Sequence, residues 1–192
     1  VKVCHISTVH HAGDPRIFHK QCGSLAKNGY KVFLINQDEE DKESHGVQIL
    51  HLKKPSSRIS RFFSGFKAAR MALKTKAKLV HFHDPEFMWF AVWLRIFGRK
   101  IVYDVHEDVP KQILDKTWLG PRWLRHIVSG IFKLNEKFCT LFFSAVITAT
   151  PEIATNFPAR KTEVVHNYPI LSYLLDAPAK EIEKEKPNVI YA

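Results

Sequence analysis

Three junctions in this sequence share one device: Asp14-Pro15, Asp84-Pro85 and Thr150-Pro151. A capping side chain followed by proline starts a helix cheaply, because the N–H that proline lacks would have no intrahelical partner there. At each junction the chain enters a helix just beyond a short apolar run. Runs of this kind occupy residues 1–6, 31–36, 47–50, 79–83, 100–104, 145–149 and 163–165. Helical periodicity fills 15–28, 58–76, 85–97, 109–116, 121–143 and 151–157. The first helical stretch puts Ile17, Phe18, Cys22, Leu25 and Ala26 on one stripe and ends at Asn28-Gly29, a C-cap signature. Several strands are apolar on both faces, as a buried parallel sheet requires. The alternation predicts an α/β fold with a doubly wound, mostly parallel sheet and right-handed crossovers.

In such a sheet the helix N-termini line up beyond the carboxyl ends of the strands, where ligands bind and anions find unbonded N–H groups. The reactive residues collect at that edge. Val80–Glu86 reads VHFHDPE and brings His83, Asp84 and Glu86, while Asp104, His106, Glu107 and Asp108 follow the next strand. His81 and His83 share one face of their strand, and Asp104 and His106 share one face of theirs. Histidine with carboxylate is zinc chemistry, so a metal-dependent hydrolase built on His83, Asp84, Asp104 and His106 is one reading. Asp84 is otherwise spoken for as a helix cap and His81 as an internally bonded histidine, and no HExxH or CxxC accompanies them. The first loop, His10-His11-Ala12-Gly13-Asp14-Pro15-Arg16, has a glycine that allows a ligand close approach. Its Arg16 either reaches an anion at the helix start or is solvated. Neither a GxGxxG nor a GxxxxGK[ST] phosphate loop is present.

Twenty-nine Lys and Arg against 19 Asp and Glu give 192 residues a net charge of +10, which favours an anionic partner. Residues 58–76 form a basic amphipathic helix, with Phe62, Phe63 and Phe66 among Arg58, Arg61, Lys67 and Arg70. Arg122, Trp123 and Arg125 make a second aromatic–basic patch. Both suit a peripheral contact with an anionic membrane or an acceptor surface. No RNP-like strand, zinc finger or recognition helix is evident, so nucleic acid is not expected, and a non-catalytic anion- or nucleic-acid-binding domain remains only as an alternative. The cysteines Cys4, Cys22 and Cys139 are odd in number and set in apolar runs, which indicates reduced thiols and a cytoplasmic location. Phe87–Phe97 is the longest apolar stretch and Arg95 interrupts it, so no membrane span is expected, nor is a secretion leader.

Residues 169–187 break the pattern with prolines and alternating charge, and Asn188–Ala192 starts another apolar strand. The expected layout is one domain over 1–168, a linker over 169–187, and at 188–192 the first strand of a second domain.

In order, VCHISTVHHAGDPRIFHKQCGSLAKNGYKVFLI, LVHFHDPE, KIVYDVHED, AVITATPEIA and VVHNYP resemble the N-terminal half of family-4 glycosyltransferases of the GT-B fold. The resemblance runs from Val1 to about Pro169. It implies a Rossmann-like acceptor-side domain of an enzyme that transfers a sugar from a nucleotide sugar to a hydroxyl, with retention, in surface-polysaccharide or glycolipid synthesis. Most donor contacts belong to the family's C-terminal domain, so a fragment like this one is expected to be inactive. The resemblance sets the Gly13, Asp14 and Arg16 loop against the donor diphosphate and His106 near the transferred sugar, with Glu107 beside it as the second catalytic candidate. It puts His83 and Glu86 on the acceptor-side rim, and Asp84, Asp104, Thr150 and Asn167 are expected on the same substrate- and donor-facing edge. The first loop departs from the family's paired glycines, carrying Ala12-Gly13 instead. No metal or other cofactor is implied, since helix dipoles and basic groups neutralise the leaving diphosphate. The implied partners are the nucleotide sugar, a glycan or lipid-linked acceptor, and the inner face of a membrane.

Overall fold

A computed structural model describes residues 1–9, 13–37 and 40–169 of the chain. All of the expected linker but Pro169, and the expected second-domain strand, lie outside the described residues, as do His10, His11 and Ala12 and the side chain of Arg58.

Eight strands form one sheet: β1 (Lys2–Ile6), β2 (Lys31–Asn36), β3 (Lys42–Ser44), β4 (Val47–His51), β5 (Leu79–Phe82), β6 (Lys100–Val105), β7 (Ala145–Thr148) and β8 (Thr162–Val164). Their order is β3-β4-β2-β1-β5-β6-β7-β8. All neighbours are parallel except β3, which runs antiparallel to β4. Strand β3 was not legible as an apolar run, because it reads Lys-Glu-Ser and is held by its turn. His45 and Gly46 both take positive φ, 52° and 75°, the geometry of a tight two-residue hairpin. The chain leaves β1 in one direction through β2 and β4, then crosses back to β5 and proceeds the other way. The order reverses between β1 and β5, where an open α/β sheet leaves a crevice.

Helices cover both faces. Wide π-helical turns over Pro15–Cys22 lead into α1 (Gly23–Lys27), so the expected single helix is two differently wound pieces. Asp14 caps the first piece, accepting from the amides of Arg16 and Ile17 at 2.9 Å. Gly29, at φ 80°, closes α1, with its own N–H and that of Tyr30 returning to the carbonyls of Ala26 and Leu25. This segment packs Ile17, Phe18 and Cys22 on Val32, Leu34, Val47 and Ile49. The opposite face carries α2 (Arg58–Lys74), α3 (Met88–Ile96) and α5 (Arg122–Thr140). There Phe82 stacks on Tyr103 with centroids 4.6 Å apart, and Phe143 meets both edge-on. Tyr103 donates its hydroxyl to Glu136 of α5 at 3.1 Å, which ties the helix to the sheet. Short helices α4 (Val109–Asp115) and α6 (Pro151–Ala154) follow β6 and β7, capped by Asp108 and Thr150. Among the described residues no helix is long and apolar enough to cross a membrane.

Candidate active site

The period of two along a strand decides what gathers at the switch point. His5 of β1 pairs in register with His81 of β5, which pairs with Val102 of β6. His5, His81, His83 and Asp104 therefore share the face that carries the Pro15–Cys22 turns, and all four are buried. Asp104 is the hub. Arg16 grips it with both arms of its guanidinium, Nη2 to Oδ1 at 2.7 Å and Nε to Oδ2 at 3.2 Å. Gln21 Nε2 also donates to Oδ2, as does His106 Nε2 at 3.0 Å, and His83 Nδ1 lies 3.3 Å from the same oxygen. The third guanidinium contact runs from Arg16 Nη1 to the carbonyl of Val165 at 3.0 Å.

Burial lowers the His5 pKa well below its ordinary value, helped by repulsion from His81 and His83. Burial likewise brings His81 down to about 3 and lowers His83. Burial opposes ionisation of Asp104, yet bonds from His106, His83 and Arg16 overcome it and hold its carboxyl well below the usual range. One anion and one cation thus face each other beside His5, His81 and His83, whose neutral forms burial favours. The carboxylate sets the tautomers: His83 and His106 turn N–H groups to it, and His83 Nε2 then accepts from His5 Nδ1 at 3.2 Å. His81 Nε2 is 3.9 Å from Asp104 and has no hydrogen-bond partner, which corrects the expectation of an internally satisfied histidine.

Above this layer lies a cleft of about 410 Å³ whose walls include Val9, His83, Asp84, Glu86, His106, Glu107, Gln112 and Lys116. Asp84 does not cap the helix after it as expected. Only its backbone starts the 3-10 turn over Pro85–Phe87, while Oδ2 accepts from Ser7 Oγ at 3.1 Å and from the amide of Thr8. The reason is register: His83 N bonds Ile6 O at 3.2 Å, which places the next residue beside the end of β1. Glu86 accepts from Thr8 Oγ1 at 3.0 Å and separates the cleft from a second groove of about 210 Å³. Arg61 and Phe62 of α2, with Phe87 and Phe90, line that groove. Gly65 gives it room, because a Cβ there would stand 2.4 Å from the Phe90 ring.

Of the residues expected at the edge, His83, Asp84, Glu86, His106 and Glu107 line one cleft. Arg16 is neither solvated nor turned to a ligand at the helix start, since it is spent on the Asp104 carboxylate, and Asp104 is sealed beneath the cleft. Gly13 is exposed with open space about it, and Asp14 is the helix cap. Thr150 caps α6, and Asn167 accepts from Lys20 Nζ at 2.6 Å; neither is among the cleft walls. Lys67, Arg70, Arg122 and Trp123 are exposed, whereas Arg125 is half-buried and donates to the carbonyl of Leu114. Sequence reasoning missed Thr8, His5 and Gln21. Only His5 left a signal, as a polar residue inside an apolar strand. Among the described residues, two triads have donor atoms all within 4.8 Å of one another, His5–His81–His83 and His83–Asp104–His106. The second fits a divalent cation poorly, because the Arg16 guanidinium already neutralises its one carboxylate.

Residues 8–168 match the family model described as Glycosyltransferase Family 4. No curated protein matches the chain. The fold is similar to that of sucrose-phosphate synthase from Thermosynechococcus elongatus, with TM-score 0.61 and 18% identity over 92% of this chain and 53% of that one. It is similar to Anabaena Alr3699/HepE, solved with UDP and glucose, with TM-score 0.54 and 13% identity over 86% and 44%. It is also similar to Acinetobacter baumannii MurG, with TM-score 0.51 and 13% identity over 97% and 48%. The chain spans about half the length of these structures.

Proposed function

Because this chain belongs to glycosyltransferase family 4, we propose that it is the acceptor-side half of an enzyme that moves a sugar from a nucleotide sugar to a hydroxyl. Transfer is with retention, at the cytoplasmic face of a membrane, in polysaccharide or glycolipid synthesis. Residues 1–168 form this half, 169–187 the linker, and 188–192 open the donor-binding half. The observation that carries the reading is His106: a partly exposed imidazole on a cleft wall, its tautomer fixed from below by an ionised, guanidinium-paired carboxylate. An imidazole held this way hydrogen-bonds a sugar hydroxyl without reorganising as charge develops at the anomeric carbon. Glu107, bonded to Gln112 at 2.6 Å, supplies a carboxylate on the same wall. The groove beside Arg61 and Phe62 offers an apolar wall and a cation to the acceptor. The structure of Anabaena Alr3699/HepE with UDP and glucose supports a nucleotide-sugar donor. No resident metal is proposed.

The test uses the full-length protein with a panel of nucleotide sugars. Turnover of one donor is expected, insensitive to a chelator and reduced by roughly 10²–10³ in kcat by His106→Ala. The 192-residue chain alone should give none. Stoichiometric zinc or manganese, lost together with activity in His83→Ala and His106→Ala, would replace this reading with a metal-dependent hydrolase.

A further inference from the structure

Helix α5 turns a face of mixed polar and apolar residues to the fold and a separate apolar stripe outward. Ser129, Glu136, Cys139 and Thr140 are buried against the rest of the chain, and Phe132 packs on the core. On the opposite side Trp123, Ile127, Ile131, Leu134, Phe138 and Leu141 follow spacings of four, four, three, four and three, a continuous stripe at 100° per residue. All six are exposed: Ile131 by 64%, Leu134 by 70% and Leu141 by 63%. Trp89 of α3 extends the stripe sideways, its ring 5.9 Å from that of Phe138. A contiguous apolar strip of this length marks an interaction surface, because monomeric proteins leave few such patches open to water.

Charge selects the occupant. Arg122, His126, Lys133 and Lys137 are exposed along one flank of the stripe. The only acidic residue of α5, Glu136, is buried under Tyr103, so the exposed side of this helix carries no carboxylate. A second copy docked by two-fold symmetry would meet the same cationic flank, which disfavours self-pairing. An acidic lipid surface is complementary to it. Its headgroups face the cations, and its acyl boundary takes up the stripe to the depth of an interfacial helix.

We propose that α5 lies in the interface of an anionic lipid bilayer and is the main membrane-docking element of this chain, ahead of α2. The placement joins the cleft to the membrane. Helix α5 packs along α4, with Ser129 Oγ bonding the Pro110 carbonyl at 2.7 Å, and α4 supplies Val109 and Gln112 to the cleft wall. The cleft therefore stands about one helix diameter, ~10 Å, from the lipid surface. Docking does not depend on the sugar-transfer reading and is measured without substrate.

The experiment is co-sedimentation of the full-length protein with vesicles of phosphatidylcholine alone or with phosphatidylglycerol, run alongside sizing without lipid. Expected are binding only to the anionic vesicles, a blue-shifted tryptophan emission on binding, and a loss of roughly tenfold or more in affinity for Ile131→Gln/Leu134→Gln. Both positions are exposed, so an unchanged circular dichroism spectrum is expected and checks the fold. Unchanged binding by that variant, or equal binding to neutral vesicles, overturns the proposal. So does a dimer in solution that the same substitutions dissolve, which would make the occupant a second copy.

Discussion

At the scale of single residues, Arg16 and Asp104 define the site more than any group on its surface. They are 88 positions apart in the chain, and no local pattern joins them, so the sequence left Arg16 open between an anion and solvent. His106, by contrast, was expected at the sheet edge because it lies just past a strand end, and it stands on the cleft wall. The pair is buried and bidentate, and such pairs contribute little net stability while costing a great deal when half is removed. Arg16→Met should therefore destabilise by about 3–5 kcal/mol in urea unfolding at neutral pH. Adding Asp104→Asn should recover part of that loss, because the uncompensated charge is gone while an acceptor for His106 remains. A double variant no more stable than Arg16→Met would show that the guanidinium acts through packing instead.

Whole elements were the most legible level. Capping residues and apolar runs located every strand of the sheet but β3, and every helix to within a few residues. The errors follow from physics that spacing does not carry. Strand β3 depends on a hairpin turn, and the winding of Pro15–Cys22 depends on Arg16 and Gln21 reaching one carboxylate. The outer stripe of α5 has the same period as a core stripe, so periodicity alone cannot say which way it faces. What anchors that helix is Glu136, whose pKa burial raises from 4.5 to about 7 despite the bond from Tyr103. A carboxyl that holds its proton more tightly when folded contributes stability below its unfolded value, and that contribution is lost as pH rises to about 7. Chemical denaturation at pH 4.5 and pH 8 should show a fall on the order of 2–3 kcal/mol from this group. In Glu136→Gln that fall should vanish, leaving the variant the more stable at pH 8; a variant with the same pH slope would exclude Glu136 as its source.

For the molecule as a whole, the doubly wound sheet and its crevice were legible from alternation alone, because each strand-to-helix junction announces itself chemically. The net charge of +10 and its two helical clusters were legible too, but that α2 and α5 pack on the same face of the sheet was not. That charge acts in two directions. It repels itself within the folded chain and attracts anionic surfaces, and salt screens both. Raising sodium chloride from about 0.01 to 0.5 M should raise Tm by roughly 2–4 °C, as about 1 kcal/mol of self-repulsion is screened. Over the same range vesicle binding should weaken. A melting temperature that falls with salt would mean that favourable ion pairs outweigh the repulsion.

Strand β1, made before the strands that flank it, ends up in the middle of the sheet, between β2 and β5. Its partner on one side emerges within the next thirty or so residues, but the other edge has to wait for Leu79–Phe82. At translation rates of about 5–20 residues per second that interval is roughly 4–15 s. Throughout it, a strand containing Val3, Cys4 and Ile6 presents unpaired amides and carbonyls beside half of a buried polar cluster. The nascent chain is thus most open to mispairing at its centre, and the residues that complete the candidate site also end its exposure during synthesis.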